Sequence, residues 1–196
     1  MTARRGLVFV ISGPSGVGKD ALIKRLVDSD PQVQRSVSYT TRRPRPHEQD
    51  GVDYSFVTRE ELQGLIDRAE LLEHATYHGN LYGTSAARVT DLRSAGFDVI
   101  LKIEVKGAEQ VRLRLPDATF IFLAPPSMQE LVRRTALRQT ESAEERSARQ
   151  MIAETEMTFA PHYDHVVIND DLDRAVGEVL AIINQVRERH TESHAT

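Results

Sequence analysis

The apolar residues of this chain fall into two kinds of run. Residues 7–11 are almost continuously apolar, which suits a parallel strand covered on both faces. Residues 98–105, 119–123 and 164–168 share that character and predict three more core strands. Elsewhere the period lengthens. Residues 20–27 carry Ala21, Leu22, Leu26 and Val27 along one side, and residues 59–70 carry Leu62, Leu65, Ile66 and Ala69, as amphipathic helices do. Further helices are predicted over 85–94, stopped by Gly96, and over 108–114, 128–137, 143–159 and 172–187. Core strands alternating with helices predict an α/β fold on a parallel sheet. Residues 36–84 are less regular. Short strands at 37–40 and 53–57 flank a proline-bearing loop, and 71–84 reads as short strands and turns around HGNLYG. This segment predicts an inserted lobe.

Composition narrows the picture. A length of 196 residues suits one compact domain, or one core with small lobes. The absence of cysteine excludes disulfides, thiolate chemistry and cysteine-ligated zinc, and fits a reducing, cytoplasmic setting. A formal net charge of -4 takes weight from nucleic-acid coating and from anionic membranes as partners. Two arginines precede the first apolar run, but that run is short and ends in a glycine loop, unlike a signal peptide or a membrane span.

The glycine loop is the strongest chemical signal. Gly13, Pro14, Ser15, Gly16, Val17, Gly18 and Lys19 follow a predicted strand and open a predicted helix. That is the setting of a phosphate loop, whose glycines turn backbone N–H groups toward one anion while the lysine reaches the β- and γ-phosphates. Asp20 stands where such loops place a serine or threonine for Mg²⁺. It reads either as a direct or water-bridged metal ligand or as a favourable carboxylate at a helix start. A second cluster, Arg42, Arg43 and Arg45, crowds a proline-stiffened loop, where guanidinium forks suit phosphate. By itself such a loop also reads as a solvated basic surface. A third set, Arg133, Arg134, Arg138 and Arg149, spreads over two helices and their link; Arg134 and Arg138 share a face, while Arg133 reads as solvated. Glu73, Glu104 and Asp98 offer an acidic wall, although Asp98 equally reads as a strand start.

Taken in order, VISGPSGVGK, SYTTRRPRPHEQDGVDYSF, ELLEHATYHGNLYGT, ILKIEVKGAEQVR, FIFLAPPSMQELVRR and VVINDDLDRA resemble the guanylate kinase family over nearly the whole chain. The resemblance implies a P-loop parallel sheet flanked by helices, with an inserted GMP-binding lobe and a helical lid. It implies a core of about 1–35, 85–125 and 160–190, a lobe of about 36–84 and a lid of about 126–159. It further implies ATP and GMP (or dGMP) as substrates and Mg²⁺ as cofactor. By position, Ser38, Arg42, Arg45, Tyr54 and Tyr82 would surround the GMP phosphate, and Glu73, Thr84 and Glu104 would face guanine. Lys19, Arg42, Arg134, Arg138 and Arg149 would be the catalytic cations, with Asn169, Asp170 and Asp171 beside adenine. The chain departs from the family pattern at Asp20 and Ala21. It departs again at Lys102, Glu104 and Lys106, in a segment that commonly reads D-I-D-x-Q-G, and in a lid reading LRQTE where a glycine often flanks the arginine.

Guanine presents N1–H and N2–H₂ donors and an O6 acceptor, so a carboxylate can accept from both donors and a hydroxyl can donate to O6. The implied reaction is an electrostatic problem. Two groups of charge -2 held 4 Å apart repel by about 16 kcal/mol at an effective dielectric of 20. Cations and in-line positioning must offset that repulsion. Two other readings carry different expectations: a related kinase acting on ribose 1,5-bisphosphate, for which the GKD loop speaks, and a non-catalytic module that binds phosphopeptides. The oligomeric state is open.

Overall fold

The structure, a computed structural model, describes residues 4–77, 79–136 and 143–193. Its principal sheet has five strands in the order β2-β7-β1-β8-β9, formed by β1 (Val8–Ser12), β2 (Val33–Arg35), β7 (Asp98–Lys102), β8 (Thr119–Ala124) and β9 (His165–Ile168). The pairs β2–β7 and β8–β9 are parallel. The expected α/β class is therefore present. The chain divides into two compact units, Met1–Val10 with Gln32–Ala118, and Ile11–Pro31 with Thr119–Thr196.

In the first unit, β2 pairs with β7 in the register Val33↔Asp98 to Arg35↔Ile100. A second sheet has the order β4-β3-β6-β5, from β3 (Tyr39–Thr40), β4 (Ser55–Phe56), β5 (Leu71–Tyr77) and β6 (Asn80–Ser85). Its long antiparallel pair, β5 and β6, sets Glu73 opposite Thr84. Leu62, Leu71 and Leu81 form a small core beneath this sheet, with Leu62 supplied by α2 (Arg59–Asp67). A reciprocal capping box fixes the start of α2: Glu61 N–H donates to Thr58 Oγ1, and Thr58 N–H donates to Glu61 Oε2 at 2.7 Å. The helices α3 (Ala86–Ser94) and α4 (Val105–Arg114) complete the unit.

In the second unit, α1 (Lys19–Ser29) buries Leu22, Ile23 and Leu26. Asp30, just past α1, pairs at 2.7 Å with Arg187 of α7 (Leu172–Ser193). Strand β8 buries Phe120, Ile121, Phe122 and Leu123, and its partner β9 follows a 3₁₀ turn at Ala160–His162. The helices α5 (Met128–Ala136) and α6 (Ala143–Met157) lie within the two predicted helices 128–137 and 143–159. The predicted link QTES lies outside the described residues.

Two expectations about elements need correction. Strand β7 ends at Lys102 rather than at 105, because Glu104 takes the N-cap position of α4 and Val105 begins the helix. The helical stripe Val105, Ala108, Val111 overrides the local strand-like run. Strand β2 was not among the predicted core strands; it has three residues and owes its strand form to pairing with β7.

Candidate active site

The phosphate loop leaves β1 at Ser12 and turns at Gly13, which has φ 146° and no room for a side chain, since a Cβ there would lie 2.1 Å from the Leu123 carbonyl. The loop closes on itself through Val17 N–H, which donates to the Pro14 carbonyl at 3.2 Å. Gly18, left-handed at φ 106°, occupies the N-cap position of α1 with no side-chain cap. The first-turn N–H groups of the helix are thus presented to an anion by geometry and by the helix dipole. Lys19 is 8% exposed, and its Nζ donates to the carbonyls of Gly13 and, at 3.2 Å, Pro14. Those bonds hold the ammonium against the loop. Ser15 is half-buried in the loop, and Asp20 is exposed in the first turn of α1.

Two side chains beyond the loop stiffen it. Asn169, at the end of β9, is buried and donates from Nδ2 to the Val17 carbonyl at 2.7 Å. Arg134, on α5, donates to the Asn169 carbonyl at 2.9 Å and to Glu130 at 2.8 Å. Sequence reasoning set Asn169 beside adenine; the structure gives its amide a bond to the loop. Asp170 pairs with Arg174, and Asp171 accepts from the Arg174 N–H at 2.9 Å, so both carboxylates are engaged near the start of α7. Glu130 is gripped by Arg133 and then Arg134, which pull its carboxyl down to about 2. Arg133 forks onto Glu130 from the solvent side. Arg138 lies outside the described residues; Arg149 lies on α6, and its side chain is likewise outside them.

The other cluster is built in the first unit. At the end of β3, Thr40 is fully buried; its Oγ1 donates to the Leu81 carbonyl and accepts from Arg42 N–H at 3.1 Å. Thr41 Oγ1 accepts from Leu81 N–H at 3.0 Å. These two threonines moor the arginine loop to β6. Arg42 reaches Glu48 at 2.8 Å and lies 5.5 Å from the Tyr54 ring centroid. The hydrogen bond that Arg42 donates to Glu48 raises the Arg42 pKa. Burial opposes ionisation of Glu48, yet hydrogen bonds from Arg42 and Arg45 N–H hold its carboxyl below the ordinary range. Tyr82 meets Tyr54 edge to face at 5.9 Å. Arg45 is largely exposed, with its backbone N–H on Glu48.

The same unit holds a buried polar chain. Thr84 Oγ1 donates to Glu73 Oε1 at 2.6 Å, and Ser38 Oγ lies 3.4 Å from Thr84 Oγ1. Thr84 has one hydroxyl proton, already given to Glu73, so Ser38 is the donor in the second contact. Glu73 is 5% exposed; burial raises its pKa, the Thr84 bond works against that, and the nearby Glu104 charge adds to it. Glu104 Oε2 is buried without a hydrogen-bond partner among the described residues. Asp98 does not join this pair. It is fully buried at the start of β7 and accepts from Leu7 N–H at 2.8 Å and from Arg4.

The carboxylate of Glu73 rests against α4 at Gly107. A Cβ at position 107 would lie 2.6 Å from Glu73 Oε2 and 2.6 Å from Ile103 Cγ2. Gly107→Ala is therefore expected to displace the carboxylate and raise KM for the guanine nucleotide about ten-fold, a loss worth about 1.4 kcal/mol. KM for ATP should hold steady. Steady-state kinetics with each substrate varied in turn check this.

Sequence reasoning missed Thr40, Thr41, Glu48 and Gly107. Glu48 had a local signal, an acid three residues beyond Arg45 and six beyond Arg42. Gly107 had none, because its role depends on a contact across 34 positions of chain.

Among the described residues no group of three His, Cys, Asp or Glu side chains is placed to cage a metal. Asp20 offers one carboxylate directly after the loop lysine. One carboxylate with substrate phosphates and water is a donor set that Mg²⁺ favours, so these residues fit an ion delivered with the nucleotide.

A glycine loop closed by a lysine at the head of a helix, on a parallel α/β sheet, defines a P-loop phosphotransferase. A guanylate kinase family model matches residues 5–186. The guanylate kinase of Desulfitobacterium hafniense (strain Y51) is 47% identical over 183 residues, covering 93% of this chain and 92% of its own. That of Halalkalibacterium halodurans is 44% identical, covering 99% and 97%. The crystal structure of guanylate kinase from Anaplasma phagocytophilum matches with a TM-score of 0.78 at 31% identity, covering 94% of this chain and 88% of that one. This chain belongs to the guanylate kinase family. Shikimate kinase from Bacteroides thetaiotaomicron, 14% identical with a TM-score of 0.50, shares the fold alone.

Proposed function

We propose that this chain transfers the γ-phosphoryl group of ATP to GMP, and also to dGMP, giving ADP and the corresponding diphosphate. The observation that carries the choice of base is the buried Glu73–Thr84 pair, with the unpartnered Glu104 Oε2 as a second acceptor. A buried carboxylate oxygen lacking a donor is costly, and guanine brings three N–H bonds to satisfy such groups. A purine without the exocyclic amine leaves an acceptor unsatisfied, which is the basis of discrimination.

The residues divide the work by charge. The loop N–H groups and Lys19 hold the β- and γ-phosphates of ATP and stabilise charge on the transferring group. Arg134, Arg138 and Arg149 add cations from the lid segment. Arg42, Arg45, Tyr54, Tyr82 and Ser38 hold the acceptor phosphate, whose oxygen is already anionic and needs no strong base. Asn169 contributes by bracing the loop. Asp20 would hold the Mg²⁺ that accompanies ATP, and that ion would supply charge neutralisation of the phosphates. The lobe of about 36–84 and the lid of about 126–159 are read as segments that close over the substrates and exclude water. The reading implies a cytoplasmic site of action, where ATP and GMP meet the enzyme.

The test is ADP production with GMP, dGMP, IMP, AMP and ribose 1,5-bisphosphate as acceptors. Guanine nucleotides should be turned over far faster than the rest. Preference for the sugar bisphosphate would instead establish the related kinase reading, and ATP binding without transfer would establish a binding module.

A further inference from the structure

Strand β5 carries Glu73 and is the last strand of its sheet, so β6 secures it along one side. The ladder is irregular between Leu71 and Glu73, where its register shifts, and such a break loosens its control of the residues beside it. Helix α4 supplies the rest of the hold. Gln110 spans both backbone groups of His74: its Oε1 accepts from His74 N–H at 3.2 Å, and its Nε2 donates to the His74 carbonyl at 2.9 Å. A side-chain amide carries an acceptor and a donor side by side, so it pairs with the strand much as another strand would. Arg114, one turn further along α4, donates to the Leu71 carbonyl. Gly107, three residues before Gln110, lies on the same face, and its lack of a side chain leaves the room that the Glu73 carboxylate occupies. One face of α4 thus meets the carboxylate and grips the strand on both sides of it.

We propose that Gln110 is a positioning residue for guanine recognition: its two bonds to the His74 backbone fix the adjoining Glu73 carboxylate where it can accept from N1–H and N2–H₂ together. This rests on the reading of Glu73 as the guanine acceptor and adds to it the side chain that sets its aim. Glu73 is joined directly to His74, so a shift of that peptide is carried to the Glu73 side chain. Two contacts with one base demand closer alignment than one. Loosening the strand therefore costs GMP more than IMP, which lacks the exocyclic amine. Because Gln110 acts through Glu73, its effect on the choice of base should disappear once Glu73 can no longer accept both donors.

The experiment is a double-mutant cycle of Gln110→Met and Glu73→Gln, with kcat and KM measured for GMP, IMP and ATP. Methionine keeps the length and helix propensity of glutamine and loses both hydrogen bonds. Position 110 is half-buried and tolerates that change without loss of the fold. Gln110→Met should raise KM for GMP about five-fold and lower the preference for GMP over IMP by a similar factor, with kcat and KM for ATP unchanged. The unchanged ATP KM also reports that the variant is folded. In the Glu73→Gln background the same change should leave the GMP-over-IMP preference where Glu73→Gln alone puts it. An unchanged preference in Gln110→Met overturns the proposal. A full effect on the preference in the Glu73→Gln background overturns it too, as does an equal loss with GMP and IMP, which would make Gln110 a general support of α4 and β5. A parent enzyme without preference for GMP over IMP removes the guanine reading of Glu73 and this proposal with it; a normal parent preference with an unaffected Gln110→Met removes this one alone.

Discussion

Lys19→Ala is expected to lower kcat/KM by on the order of a thousand-fold or more, with the fold retained. The ammonium is held against the phosphate loop by the Gly13 and Pro14 carbonyls and is only 8% exposed. A charge fixed in a water-poor site needs no reorganisation when the γ-phosphoryl group moves, so its full field acts on the transition state. Truncation also leaves two loop carbonyls without their lysine donor, which costs on the order of 1–3 kcal/mol of stability. A modest fall in melting temperature should therefore accompany a near-complete loss of turnover. Thermal unfolding and steady-state assays on one preparation separate the two effects. Turnover within about ten-fold of the parent would contradict the assignment, because one preorganised charge is expected to contribute far more.

Glu73→Gln is expected to lower kcat/KM for GMP about a hundred-fold and to shrink the preference for GMP over IMP. The ionised carboxylate can accept from N1–H and N2–H₂ together, whereas an amide presents one acceptor and two donors. Loss is concentrated on the nucleotide that carries the exocyclic amine, so the ratio moves as well as the rate. The wild-type enzyme should also show a distinctive pH dependence. Burial raises the Glu73 pKa above its ordinary value of 4.5, so the folded protein keeps this proton to a higher pH than the unfolded chain. Ionising the group consequently costs stability, and that cost accrues as pH rises from 4.5 through the raised value. On the proposed reading, GMP is bound by the ionised form. KM for GMP should thus climb on acidification through the raised value, before an ordinary glutamate would protonate. In Glu73→Gln this limb of the profile should vanish, and a profile identical to the parent's would contradict the role.

What could be read from the sequence followed the range of the interactions. The phosphate loop was legible because strand, glycines, lysine and helix are contiguous in residues 7–27, and the structure places them as β1, loop and α1. The α/β class was legible because strand and helix periods alternate along the chain. Strand β2 was not, since three residues carry no periodicity and take their form from the β7 register. The end of β7 was misread because Ile103 and Val105 continue an apolar run that belongs partly to α4. The side-chain partners were hidden for the same reason. Asn169 bonds to Val17 across 152 positions, and Asp98 engages Leu7 across 91. No window of sequence contains both members of either pair.

If Glu73 reads guanine and the phosphate loop holds ATP, GMP should be the preferred phosphate acceptor. ADP formation by the purified wild-type protein with GMP, IMP and ribose 1,5-bisphosphate in parallel tests it most directly. Rapid, ATP-dependent turnover of GMP is expected, with IMP slower by about a hundred-fold and the sugar bisphosphate at background. Equal rates with GMP and IMP, or a higher rate with ribose 1,5-bisphosphate, would contradict it.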